Sequence, residues 1–200
     1  MSAKMFQAPK ATETVQIRLS GAGGQGLITA GIILAEAALL DGKNVVQTQS
    51  YGPEARLGAS KAEVIISTKK IAYPQVLQPD WLLCLSPEAL KKYVPQTTPA
   101  TMLVLDSTQI ESDAPKDRLC YSLPITEASA KAGSRVAANV VALGVMNALA
   151  HLVTPENLRG SVSKRVPERF RALNLKALEA GEKLVEALKL ETLGREHGSA

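Results

Sequence analysis

The chain has 200 residues, 46% hydrophobic and 21% charged, which suits one sizeable α/β domain with a real core. Aromatic residues make up only 4% and the net charge is +4, so the basic, aromatic-studded stripe expected of a nucleic-acid binder is missing. The opening MSAKMFQAPKATET has no apolar signal core, and no apolar run approaches the roughly 18 residues of a membrane span. A cytoplasmic protein with no membrane and no nucleic-acid partner is expected.

Residues 1–13 read as a disordered lead-in, 14–190 as the domain and 191–200 as a frayed tail. Val15, Ile17 and Leu19 alternate with Gln16 and Arg18 in the period of a short strand. The stretch Gly21-Ala22-Gly23-Gly24-Gln25-Gly26 follows, and Leu27 to Leu40 is almost continuously apolar, as in a helix buried on most of its surface. Asp41-Gly42 stops that helix, and Asn44 to Thr48 is the second strand, giving a right-handed βαβ unit.

The loop carrying Tyr51, Gly52, Glu54 and Arg56 leaves the carboxyl end of the second strand. Further strands are expected at 61–68, 81–85 and 101–105, with an edge strand at 119–122. Ser86-Pro87-Glu88 starts a helix that runs on to Tyr93. Helices are expected at 125–131 and 135–152, a short one from Pro155 to about Arg159, and an amphipathic terminal helix from Pro167 to about Leu190. The fold class is α/β: a single Rossmann-like, doubly wound, mostly parallel sheet with helices on both faces and a C-terminal amphipathic helix.

Gly21, Gly23 and Gly26 fit G-x-G-x-x-G between a strand and a helix, the arrangement that aims free N–H groups at an anion. A nicotinamide site would also need an acid about 20 residues on, at the end of the second strand. That end reads Val45-Val46-Gln47-Thr48-Gln49, while Asp41 precedes the strand and Glu54 lies well past it. Gln25, a polar side chain inside the turn, suits a ligand or an interface better than plain packing. If the first two strands are neighbours, the Tyr51 loop shares the crevice, where Arg56 could grip a phosphate or carboxylate and Tyr51 could close over a planar group.

Catalytic groups are scarce. His151 and His197 read as structural, Asp80 and Asp106 as turn and cap residues, and the serines have no partner histidine at a recognisable spacing. Cys84 and Cys120 sit far apart in apolar strands without ligand spacing, so no metal or cluster site is expected in this chain. The chain reads as a subunit that shapes a site, with no catalytic residue of its own.

GAGGQGLITAGIILAEAA at 21–38 and SYGPEARLGASKAEVIIS at 50–67 together resemble the gamma subunit of the 2-oxoacid:ferredoxin oxidoreductases, most closely the 2-oxoglutarate type. The helix with Asn139 and Gly144 and the helix with Asn174 and Gly181 are similar to further landmarks of that family. One departure is Leu57, where the family commonly has glycine. The resemblance implies a non-autonomous subunit of a complex that oxidatively decarboxylates 2-oxoglutarate, passes electrons to ferredoxin and makes succinyl-CoA from coenzyme A. It places thiamine diphosphate, Mg and 4Fe-4S clusters in alpha and beta partner subunits, with or without a delta subunit, and no cofactor on this chain alone. Gly21, Gly23, Gly24, Gln25, Gly26, Tyr51, Gly52, Glu54 and Arg56 are then coenzyme A loops or subunit-interface loops. An NAD-binding regulatory module and a purely structural assembly subunit are the alternatives.

Overall fold

The computed structural model of the chain describes residues 13–50, 59–111 and 115–197. Six strands form one sheet: β1 (Thr14–Ala22), β2 (Asn44–Ser50), β3 (Ala59–Ser67), β4 (Trp81–Cys84), β5 (Met102–Asp106) and β6 (Cys120–Leu123). Their order is β2-β3-β1-β4-β5-β6. The helices are α1 (Leu27–Leu40), α2 (Pro87–Tyr93), α3 (Ile125–Ala132), α4 (Ala138–Ala150), α5 (Pro155–Arg165) and α6 (Glu168–His197). Helix α1 spans the residues its apolar run predicts, whereas α5 and α6 are each about a turn and a half longer than their patterns suggest.

The sheet is mixed. β1–β4, β4–β5 and β5–β6 pair in parallel, while β3 pairs antiparallel with both β1 and β2. The condition that β1 and β2 are neighbours is therefore not met, because β3 lies between them. Eight residues separate β2 from β3, fewer than the dozen or so that a parallel crossover requires, so β3 must return antiparallel. From Ala62 to Ser67 it is buried throughout, which places it inside the sheet and leaves the less buried β2 at the edge.

Alternation along the strands splits the core in two. Ile17, Leu19, Val64, Ile66, Trp81, Leu83, Val104 and Tyr121 face α1, α3, α4, α5 and α6. Leu82, Cys84, Leu103 and Leu105 face the opposite way, against Ala89 and Tyr93 of α2. Helices therefore cover both faces, but unequally. On the α2 side β1 and β3 carry a buried ion pair: Arg18 Nε donates to Glu63 Oε1 at 2.7 Å, and Lys61 Nζ reaches the same oxygen at 2.9 Å. The Arg18 guanidinium carbon also lies 5.7 Å from the Tyr93 ring centroid. Arg18 reads in sequence as the polar side of a strand, yet it is only 4% exposed because α2 closes over it.

Asp41, the C-cap of α1, also pins the start of α5. Its carboxylate accepts from Thr154 N at 2.8 Å, Thr154 Oγ1 at 2.8 Å and Asn157 Nδ2 at 2.6 Å. Burial alone would raise its pKa, but the bonds from Asn157 and Thr154 and the charge of Lys43 outweigh burial and hold it below its ordinary value. The stabilisation is therefore complete above the ordinary aspartate range and disappears as pH falls through the lowered value. Asp41→Ala is expected to cost about 1–2 kcal/mol at neutral pH. In urea unfolding the gap between variant and parent should close at low pH.

Candidate functional site

In an open α/β sheet the carboxyl ends of the parallel strands make one edge where ligands bind. Here that edge is formed by the ends of β1, β4, β5 and β6. Ala22 pairs with Ala59 and Ser50 with Lys61, so both described residues that flank 51–58, Ser50 and Ala59, also sit at this edge. Tyr51, Gly52, Glu54 and Arg56 themselves lie outside the described residues.

Gly21 and Ala22 belong to β1, so the turn proper is residues 23–26. Gly24 has φ 89° and Gly26 has φ 72°, in the left-handed region that favours glycine. Gly26 is the N-cap of α1 and offers no side chain to the helix amides, and the first turn of α1 contains no acid. Helix α2 differs, since Ser86 Oγ accepts from Ala89 N at 3.2 Å. The end of α1 thus keeps its partial positive charge uncompensated, with Gly23 and Gly24 exposed beside it. Chemically, this is a place for an anion.

The Gln25 side chain turns inward. Its Oε1 accepts from Ala22 N at 2.7 Å, and its Nε2 donates to Leu85 O at 3.3 Å, at the end of β4. A Cβ on Gly21 would collide with that Oε1, so the first glycine makes room for the glutamine. On the other side, Asn139 in the first turn of α4 donates from Nδ2 to Gly26 O at 3.0 Å. Sequence reasoning marks Asn139 as a family landmark but misses this contact, because nothing in a linear pattern joins residues 113 positions apart.

The remaining candidates have structural partners. Asp106, fully buried at the end of β5, accepts from Thr108 N at 3.1 Å, from Thr126 N at 3.2 Å and from the Thr126 hydroxyl, capping α3. Asp80 accepts from Gln16 N at 2.7 Å. His151 is exposed and ends α4 in the left-handed conformation, near the amino ends of the strands and away from the glycine turn. Burial pushes the Cys84 thiol up to about 12 and the Cys120 thiol up to about 11, so neither is an activated nucleophile. Among the described residues no three His, Cys, Asp or Glu side chains group as a metal site, and no helix is long and apolar enough to cross a membrane.

The family model of pyruvate ferredoxin/flavodoxin oxidoreductase matches residues 16–184. The 2-oxoglutarate synthase subunit KorC of Methanocaldococcus jannaschii is 42% identical over 177 residues, spanning 86% of this chain and 95% of its own. The crystal structure of the gamma subunit of a keto/oxoacid ferredoxin oxidoreductase from Geobacter sulfurreducens PCA is 44% identical, with a TM-score of 0.77 over 86% of this chain and 99% of that one. The 2-oxoglutarate:ferredoxin oxidoreductase from Magnetococcus marinus, solved with 2-oxoglutarate, coenzyme A and succinyl-CoA bound, shares the fold. Its TM-score is 0.79 at 24% identity, over 88% of this chain and 32% of that one.

Proposed function

Because the chain belongs to the pyruvate ferredoxin/flavodoxin oxidoreductase family, we propose that it works as the gamma subunit of a 2-oxoglutarate-type 2-oxoacid:ferredoxin oxidoreductase. The complex would decarboxylate 2-oxoglutarate oxidatively, pass electrons to ferredoxin and transfer the succinyl group to coenzyme A. The identity to KorC over nearly its whole length supports this reading over an NAD-binding module or a structural subunit.

Within that complex the glycine turn receives a phosphate of coenzyme A. The observation that carries this reading is the uncapped amino end of α1 at the carboxyl edge, with two exposed glycines beside it and no acid in the first turn. Arg56 and Tyr51 complete the contact from the second loop, whose flanking residues Ser50 and Ala59 lie at the same edge. The α1 and α2 crossovers on opposite faces support reading the arrangement as Rossmann-like. It is used for an acyl carrier in place of a dinucleotide, since β2 has no acid for a ribose.

Two cysteines are half the set that a 4Fe-4S cluster takes, and among the described residues no three His, Cys, Asp or Glu side chains group to hold a metal ion. The proposal therefore puts Mg-bound thiamine diphosphate and the 4Fe-4S clusters in alpha and beta partners, with or without a delta subunit, in the cytoplasm. This chain's part is to hold and orient the acyl acceptor.

Arg56→Ala in the assembled enzyme tests the reading. Loss of a charge-assisted contact to phosphate should raise KM for coenzyme A about tenfold or more, with KM for 2-oxoglutarate unchanged. Unchanged kinetics for both substrates would show that the loops are interface or scaffold.

A further inference from the structure

An anion site built from backbone amides works only if those amides are held in one arrangement before the ligand arrives. A turn with two left-handed glycines has little stiffness of its own, because glycine populates positive and negative φ about equally. In this chain the stiffness comes from two amide side chains on rigid elements.

Gln25 closes the turn on itself and fastens it to the sheet. Its backbone N donates to Ala22 O at 3.3 Å while its Oε1 accepts from Ala22 N at 2.7 Å, so both faces of one residue's backbone are tied. Its Nε2 then reaches Leu85 O, 60 residues away in sequence. Asn139 holds the other end. It is 9% exposed, and its Nδ2 donates to Gly26 O, the carbonyl that also accepts the first helical bond of α1 from Ala30 N at 3.0 Å. A Cβ on Gly26 would lie 2.6 Å from that Nδ2, so the glycine is what allows the asparagine to come this close. The turn is clamped between the end of β4 and the start of α4.

We propose that Gln25 and Asn139 are positioning residues that fix the turn at residues 23–26 and so preorganise its free amides for a phosphate-bearing ligand. The ligand part rests on the coenzyme A reading given above, and the clamp can be tested apart from it. Asn139→Asp is the informative variant. Its carboxylate still accepts from Val140 N, as Asn139 Oδ1 does at 3.0 Å, and a negative charge in the first turn of α4 favours that helix. What it cannot do is donate to Gly26 O. A role limited to stabilising α4 would therefore survive the change, whereas the clamp would not. Gln25→Glu works alike: it still accepts from Ala22 N and loses the donation to Leu85 O.

Amide hydrogen exchange of the full chain, followed by NMR at Ala22, Gln25 and Ala30, reads the clamp directly. In Asn139→Asp the Ala30 amide is expected to exchange about tenfold faster, the size of one lost hydrogen bond, while the chain stays folded and its melting temperature falls by no more than a few degrees. In Gln25→Glu the bond from Ala22 N is kept, so the acceleration should appear at Gln25, whose own amide donates to Ala22 O across the turn. In the assembled enzyme both variants should raise KM for coenzyme A several-fold while kcat stays within about twofold. Unchanged exchange at Gln25 and Ala30 would overturn the proposal. Faster exchange with an unchanged KM for coenzyme A would confirm the clamp and overturn the coenzyme A reading of the turn.

Discussion

Gly144→Ala and Gly181→Ala will each destabilise the chain, although alanine is the better helix former at both positions. Propensity alone predicts a gain of about 1 kcal/mol for such a change in a helix interior. Here α4 and α6 cross with their backbones in contact. A Cβ at Gly144 would run into Leu178 O and come within 3.2 Å of Glu182 N and of Gly181 Cα. One at Gly181 would run into Val141 O and lie 2.9 Å from Val145 N. These obstacles are backbone atoms, so no side chain can rotate away to admit the methyl group.

The helices must separate, and α4 is the central helix of the larger core, with Val140 to Met146 buried without a break. Each alanine should cost about 2–3 kcal/mol net in urea unfolding, and valine more. Since the two glycines face one another, the double variant should lose less than the sum of the single losses. Gly160 in α5 is the control: nothing lies within 4 Å of its Cβ position, so Gly160→Ala should stabilise by about 0.5–1 kcal/mol. Stabilisation at Gly144 or Gly181 of that same size would refute the close crossing.

Which of these features the sequence disclosed follows from how local their causes are. Helix α1 was readable to its end residues because an unbroken apolar run meets Asp41-Gly42. The Ser86 cap is likewise short-range, a hydroxyl beside a proline, whereas the carboxylate of Asp106 caps a helix 20 residues further on. Strand order was not legible, because only the eight-residue connection between β2 and β3, and not the composition of either strand, forces the antiparallel return. Arg18 alternates with apolar neighbours as a solvent-facing residue would, and its burial depends on α2, 70 residues later. The place of the glycine turn between a strand and a helix was legible. The use made of Gln25 was not, since its hydrogen-bonding capacity, read as available to a ligand, is committed to Ala22 and Leu85. Gly144 and Gly181 could be quoted as landmarks, but their purpose needs two helices laid across each other.

Gly24 offers the sharpest separation between the fold and its use. It has φ 89° and open space around its Cβ position, so a side chain there meets no steric obstacle, only backbone strain. Valine, branched at Cβ, is the residue least able to stay in that conformation, and Gly24→Val should drive the turn toward negative φ. The strain costs about 1–3 kcal/mol, and part of it is relieved by swinging the peptide groups of residues 23–25. The chain stays folded, because β1 and α1 are held by the core on either side, and its melting temperature falls by only a few degrees.

The amides, however, no longer converge. For a site made of N–H groups and a helix end, a misplacement of an ångström or so is enough to lose about a hundredfold. In the assembled enzyme KM for coenzyme A should therefore rise by roughly 10- to 100-fold, with KM for 2-oxoglutarate unaltered. Asparagine tolerates positive φ, and the space at Gly24 admits it, so Gly24→Asn should recover most of the affinity that valine loses. If valine and asparagine affect coenzyme A equally, bulk at the position matters and backbone conformation does not. The turn would then be touching a partner subunit, with no phosphate bound by its amides.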